Sequence, residues 1–289
     1  MSVAPPSSAT DTLRLRNGVE MPFLGLGTSH NGGYSHDAVV VSLRHGLRAI
    51  DTATRYGCES QIADAIAASG VRRADVFITT KLFYDDYGYD NAIRSAEASL
   101  ARLRTDYIDL YLLHWPGTPS TAHNRQIRAD TWRALVHLYS VGKVRSIGVS
   151  NFLHSHLEQL QADSLASGIS ERPHVNQVEC HCFNHPVQLI AYCRQHGIAF
   201  EGYCPLAKGQ LLIEPTIVDM AKLYACTPAQ LCIRWNLQHG YICIPKSTKP
   251  ERVVENACVF FFSITPGDMT KLDALHDGRH VTWDPTNVP

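Results

Sequence analysis

Asp51, Tyr56, Lys81 and His114 bring together a carboxylate, a phenol, an amine and an imidazole. Asp51 closes the run Leu47-Arg48-Ala49-Ile50, and Tyr56 lies in the loop that follows. Lys81 closes Val76-Phe77-Ile78-Thr79-Thr80, and His114 closes Tyr107-Ile108-Asp109-Leu110-Tyr111-Leu112-Leu113. Gathered at one point, these groups could deliver a proton to a carbonyl oxygen that is becoming an alkoxide. Tyr56 is the natural donor, yet a free phenol has a pKa near ~10 and gives up its proton poorly near neutrality. A Lys81 ammonium beside it would lower that value, and Asp51 would hold Lys81 charged against the desolvation that burial brings. His114 would hydrogen-bond the substrate oxygen and orient it. Taken singly, these residues are more often a cap, a half-buried ring or a packed imidazole. Their repetition at successive strand ends is what points to chemistry.

Such a meeting needs strands whose C-terminal ends share one face. Apolar β-type runs at residues 22–26, 48–51, 76–81, 107–114, 144–150, 174–179, 199–203 and 241–245 make eight, and they alternate with helical patterns. Residues 90–103 carry Ala92, Ile93, Ala96, Leu100 and Leu103 at helical spacing, and residues 131–141 and 186–195 look similar, with Pro186 suited to a first turn. Alternation of this kind means parallel strands with crossover helices. Eight units predict a closed (β/α)8 TIM barrel, which typically needs about 250 residues. Leu13 to Arg16, an Asn17-Gly18 turn and Val19 to Met21 predict a β-hairpin covering the barrel's bottom. Gly25-Leu26-Gly27 lacks the third glycine of a dinucleotide fingerprint, since residue 30 is His30, which weakens an open doubly wound sheet. The expected organisation is a flexible tail over residues 1–12 and a single domain over 13–289.

The formal net charge is −1, so no strong field favours nucleic acid or an anionic membrane. No apolar stretch approaches the ~18 residues of a spanning helix, and the N-terminus has no signal-type apolar core. A cytoplasmic monomer acting on a small molecule is expected. The nine cysteines are odd in number and irregularly spaced, which argues for reduced thiols and against a disulfide framework. Cys180-His181-Cys182 has no second cluster at ligand spacing, so no metal is expected.

Residues 244–256 join a strand end to a helix start. Pro250 suits a first helical turn and Thr248 lies near enough to help cap it. Lys246, Ser247 and Arg252 there could hold a phosphate, or could equally be a solvated basic helix start. Ser150, Asn151 and Gln177 offer donors and acceptors suited to a carboxamide, and Tyr203 offers a flat face at another strand end. Alone, all of these would be ordinary turn and core residues.

Six segments, in order along the chain, resemble the aldo-keto reductase superfamily. They are Asp51-Thr52-Ala53-Thr54-Arg55-Tyr56-Gly57-Cys58-Glu59, Thr80-Lys81-Leu82, Leu113-His114-Trp115-Pro116, Gly142-Lys143-Val144-Arg145-Ser146-Ile147-Gly148-Val149-Ser150-Asn151-Phe152, Val175-Asn176-Gln177-Val178-Glu179 and Ile244-Pro245-Lys246-Ser247. The resemblance implies an NADPH-dependent carbonyl reductase, with Tyr56 as acid, Lys81 and Asp51 as its tuners and His114 as carbonyl partner. It further implies that Ser150, Asn151 and Gln177 hold the nicotinamide amide, that Tyr203 stacks on the ring, and that Lys246, Ser247 and Arg252 take the extra phosphate of NADPH. Glu255 and Asn256 would face the adenine, and Leu206 and Lys208 would lie along the pyrophosphate. Ser29 and His30 stand where the family often has a bulky aromatic, and Phe83 where Trp is common. Cys182 replaces a common Pro, and Cys204 a common Ser. Ser29, Phe83 and Trp115 are the expected substrate pocket. The short loop after Pro116 and the chain end soon after Trp283 resemble the compact members with an open pocket. Two other functions fit the same barrel: an NADPH-binding redox-sensing subunit with little turnover, and an aldolase using Lys81 as a Schiff-base nucleophile.

Overall fold

A computed structural model of the chain describes residues 4–29, 33–118, 121 and 123–289. His30 lies outside the described residues. An antiparallel hairpin comes first, with β1 (Thr12–Arg14) paired to β2 (Glu20–Pro22). Eight parallel strands follow: β3 (Leu26–Gly27), β4 (Ala49–Asp51), β5 (Phe77–Leu82), β6 (Leu110–Leu113), β7 (Ile147–Ser150), β8 (Val175–Glu179), β9 (Ala199–Tyr203) and β10 (Ile242–Ile244). Each neighbours the next in sequence, and Leu24 with Cys243 and Gly27 with Lys246 bridge the first strand to the last. The expected (β/α)8 barrel is therefore present. The first barrel strand is shorter than expected, because Pro22 belongs to the hairpin, opposite Thr12.

The helices are α1 (His36–Arg44), α2 (Glu59–Ser69), α3 (Tyr89–Leu103), α4 (Asn124–Ser140), α5 (His154–Ala166), α6 (Val187–Gln195), α7 (Pro215–Leu223), α8 (Pro228–Gln238), α9 (Pro250–Ala257) and α10 (Pro266–Asp273). Local chemistry sets their starts. Thr227 and Gln230 form a reciprocal capping box at α8, with Pro228 in its first turn. On α3, Ala92, Ala96, Leu100 and Leu103 are buried, one stripe at helical spacing facing the strands. Pro186, expected in a first turn, stands instead at the N-cap position just before α6, with no side-chain capping bond.

The strands have almost wholly buried side chains, as expected when helices cover a parallel sheet. Gly148 in β7 shows how closely they pack: a Cβ there would stand 2.5 Å from the Val175 carbonyl oxygen and 2.8 Å from a Leu112 methyl. The hairpin covers the N-terminal ends of the strands, where Asn17 Nδ2 donates to the Arg145 carbonyl oxygen at 3.0 Å, just before β7. Ahead of it, Arg234 donates to the Pro6 carbonyl oxygen at 3.2 Å. No helix among the described residues is long and apolar enough to cross a membrane.

Candidate active site

The C-terminal ends of β4, β5 and β6 place Asp51, Lys81 and His114 side by side, and a short 3-10 turn, Thr54–Tyr56, brings Tyr56 over them. Lys81 Nζ donates to both Asp51 carboxylate oxygens, at 2.6 and 2.7 Å, and to the Thr52 carbonyl oxygen at 2.9 Å. Lys81 is 1% and Asp51 5% exposed, so this ion pair is sealed inside the barrel. Thr28 donates to the Asp51 carbonyl oxygen through both its amide (2.9 Å) and its hydroxyl (2.8 Å), fixing the backbone under the carboxylate. Beside Lys81, Thr80 Oγ1 donates to buried Glu59 at 2.6 Å, and Arg102 donates to the same carboxylate at 2.7 Å, tying β5 to α2 and α3.

Lys81 Nζ stands 5.3 Å from the Tyr56 ring centre, and the Tyr56 hydroxyl lies 3.4 Å from His114 Nε2. Tyr56 and His114 thus converge on one point, where a carbonyl oxygen could accept from both. The electrostatics differ from expectation in one respect. Burial raises the Tyr56 pKa above its ordinary value, and the Lys81 charge only partly offsets it, while Asp51 raises it further. Burial also works against the Lys81 ammonium, but the attraction of Asp51, Tyr56 and Glu201 outweighs it and the Lys81 pKa is raised. A raised Lys81 with three N–H donors engaged has no lone pair to attack a carbonyl, which counts against a Schiff-base role.

The expected cofactor residues form two groups. At the mouth, Ser150 Oγ donates to the Gln177 carbonyl oxygen (2.9 Å), and Asn151 Nδ2 donates to Ser150 Oγ (3.1 Å) and to the His114 carbonyl oxygen (3.0 Å). The Tyr203 hydroxyl donates to Asn151 Oδ1 at 2.7 Å. Gln177 Nε2 donates to Asp51 Oδ2 at 2.8 Å, joining this group to the tetrad. Strained backbone gathers here too: φ is positive at Asn151 (62°), Cys204 (57°), Ala207 (47°) and Lys208 (53°). Leu206 and Lys208 lie in that turn, Leu206 half-buried and Lys208 exposed. The second group stands at the far side of the mouth, where Gly27, Thr28, Ser35, Lys246 and Ser247 line a cleft between the ends of β3 and β10. Lys246 and Ser247 are half-buried, Arg252 is exposed in the first turn of α9, and Asn256 is buried. Burial lowers the Lys246 pKa. Thr248 does not cap α9; instead Ser247 Oγ accepts from the Lys249 amide at 3.1 Å. Glu255 accepts from Thr227 Oγ1 at 2.8 Å and so fastens α9 to α8.

Phe83 and Trp115 flank His114, with ring centres 5.8 and 5.9 Å from it, and the Arg55 guanidinium lies over Phe83. Ser29 is half-buried and follows Thr28 at the rim. Three features had no role assigned from sequence. Trp283 packs edge-on against Trp115 with centres 4.0 Å apart, adding a wall from the C-terminal segment. Glu179 holds that segment: it accepts from the amides of Val281 (2.7 Å) and Thr282 (3.2 Å), from His280 (3.2 Å) and from the Thr282 hydroxyl, and it pairs with His181 (2.9 Å). Burial alone would raise the Glu179 carboxyl, but the bonds from His181, Thr282 and Val281 outweigh it and bring it down to about 2. The third omission is Glu201 on β9, a buried carboxyl whose presence a charged residue inside an apolar strand could have signalled.

Away from the mouth, His185, His239 and Asp273 bring three candidate ligand atoms within 4.8 Å of one another. They are already satisfied by protein, since Asp273 accepts from His239 (2.9 Å) and Trp235 (2.8 Å) and His185 pairs with Tyr241 (2.8 Å).

This geometry agrees with similarity over nearly the whole chain. The sequence profile of the Aldo/keto reductase family matches residues 23–277. A glyoxal reductase of Bacillus subtilis is 43% identical over 285 residues, spanning 98% of this chain and 99% of that protein. Among solved structures, an aldo-keto reductase from a Medee basin deep-sea metagenome library superposes with a TM-score of 0.88 at 37% identity, covering 96% of this chain and 100% of that one. A Bombyx mori aldo-keto reductase in complex with NADP gives a TM-score of 0.84 at 31% identity, covering 97% and 96%. The chain belongs to the aldo/keto reductase family, a family of oxidoreductases.

Proposed function

We propose that this protein reduces aldehydes or ketones to alcohols with NADPH, and that Tyr56 gives the proton. The observation that carries this is the buried Lys81–Asp51 pair beneath a tyrosine whose hydroxyl lies 3.4 Å from His114 Nε2. A raised pKa suits Tyr56 to the reductive direction, because it keeps the phenol protonated until negative charge grows on the substrate oxygen. His114 orients that oxygen, and Lys81 stabilises the phenolate left behind. Phe83, Trp115 and Trp283 give the reacting carbonyl an apolar, water-poor wall.

The residues present fit a nicotinamide dinucleotide phosphate. Ser150, Asn151 and Gln177 are a matched donor and acceptor set for the carboxamide, and Tyr203 offers a ring held in place by Asn151. Lys246, Ser247 and Arg252 suit the extra phosphate, and half-buried Lys246 is a cation for which an anionic partner offsets desolvation. When bound, NADPH supplies the hydride to the carbonyl carbon. The Bacillus subtilis relative is a glyoxal reductase, which favours small aldehydes and dicarbonyls as the first substrates to try.

The test is NADPH oxidation, followed at the nicotinamide absorbance, with glyoxal and a panel of small aldehydes and ketones. Turnover is the expected result. Tight NADPH binding with no turnover across the panel would favour a redox-sensing role, and neither binding nor turnover would overturn the proposal.

A further inference from the structure

Glu201 is a carboxyl inside the barrel, 1% exposed, projecting from the middle of β9. Its Oε2 accepts from Gln177 Nε2 at 2.9 Å, and the same nitrogen donates to Asp51 Oδ2 at 2.8 Å. Glu201 Oε1 has no hydrogen-bond partner among the described residues. An amide nitrogen carries two hydrogens, and here each is taken by a carboxyl group. With acceptors on both sides of the nitrogen, the amide has one satisfactory orientation, because a flip would set its carbonyl oxygen between two carboxyl oxygens. Its carbonyl oxygen is therefore the end left clear of both carboxyl groups, and it takes part in no hydrogen bond among the described residues.

We propose that Glu201 is a positioning residue: with Asp51 it grips the Gln177 amide, and so aims the Gln177 carbonyl oxygen at the carboxamide N–H of a bound nicotinamide. This rests on the NADPH-dependent activity proposed above. The charge state is compatible. Burial and the nearby Asp51 charge outweigh the bond from Gln177 and the attraction of Lys81, and push Glu201 up to about 8. At neutral pH it thus holds a proton, which the unpartnered Oε1 can carry while Oε2 still accepts. Two carboxyl groups can then flank one amide without two buried negative charges. Without Glu201 the amide keeps one anchor, and the flipped form, which sets N–H against N–H at the cofactor, becomes accessible.

The experiment compares single-turnover hydride transfer from NADPH and from its 3-acetylpyridine analogue, which has a methyl group in place of the carboxamide NH2. Glu201→Met removes both oxygens at similar length. It should slow the NADPH reaction by about three- to tenfold, the worth of one hydrogen bond, and leave the analogue reaction nearly unchanged. Glu201→Gln, whose carbonyl oxygen can still accept from Gln177, should recover most of the loss. Should Glu201→Met not fold, Glu201→Thr, too short to reach Gln177, carries the same comparison. Equal losses with both cofactors, or no loss with NADPH in a folded variant, would overturn the role of Glu201. Absence of turnover in the parent enzyme would instead remove the proposed activity itself, so the two failures are distinguishable.

Discussion

Replacing Lys81 by Met separates what the Lys81–Asp51 pair does for the fold from what it does for chemistry. The ammonium and carboxylate are 1% and 5% exposed and meet at 2.6 and 2.7 Å, so neither has water to fall back on. Removing one partner of such a pair leaves an uncompensated buried charge, at a cost of about 3–5 kcal/mol. That is a large share of a total stability of roughly 5–15 kcal/mol. At about 2–4 °C per kcal/mol it lowers the melting temperature by on the order of 10 °C. The double variant Lys81→Met with Asp51→Asn removes both charges and keeps an acceptor for Gln177 Nε2. It should regain at least about 2 kcal/mol of the loss. Turnover should not return with stability, because nothing then stabilises the Tyr56 phenolate. Urea or thermal unfolding by circular dichroism, run beside the NADPH oxidation assay, reads both quantities. A single-variant loss under about 1 kcal/mol would refute the sealed ion pair. Recovery of turnover in the double variant would refute any chemical role for Lys81.

Arg252→Ala should weaken NADPH by about tenfold and leave NADH nearly unaffected, read by fluorescence titration, because in the proposed cofactor site the guanidinium serves the extra phosphate alone; equal losses would show that it does not read that group. The raised pKa of Glu201, about 8, means that the folded protein holds a proton which the unfolded chain releases above ~4.3. Stability from this group is therefore full below that value and lost as pH rises to about 8. Urea unfolding from pH 5 to 9 should show this decline, of a few kcal/mol at most, and Glu201→Gln should flatten it. Glu179→Gln should release the C-terminal segment, seen as faster proteolysis near residue 280 and altered Trp283 emission, and should raise KM for the carbonyl more than it changes NADPH binding. An unchanged KM with a protease-resistant C-terminus would show that Glu179 is not the anchor.

Much of the barrel was legible because each strand is an apolar run followed by a functional residue, and each helix repeats its apolar face at helical spacing. Residues 199–203 were read with correct bounds, whereas 107–114 shrank to Leu110–Leu113. The difference lies in Asp109, whose carboxylate turns to the Ile78 amide (3.0 Å), Arg73 (2.7 Å) and Arg145 (3.2 Å) and takes the backbone out of regular pairing. The gathering of these four residues was legible because Asp51, Lys81 and His114 stand at strand ends, Tyr56 lies in the turn after one of them, and a barrel makes strand ends meet. Glu179 and Glu201 were not, since their importance lies in partners 101 and 24 residues away, His280 and Gln177, and pairing at that range is fixed only by the closed barrel. The direction of the Tyr56 shift was missed for a related reason. Lys81 was visible in the sequence, but the extent of burial that outweighs it was not.

The most direct measurement is single-turnover NADPH oxidation by Tyr56→Phe beside the parent enzyme, with NADPH affinity titrated in parallel. The hydroxyl is the only group removed, so cofactor binding should be unchanged while carbonyl reduction falls by at least about a hundredfold, the usual contribution of a general acid. Reduction at the parent rate by Tyr56→Phe would contradict the assignment of Tyr56 as proton donor and require another acid at the mouth of the barrel.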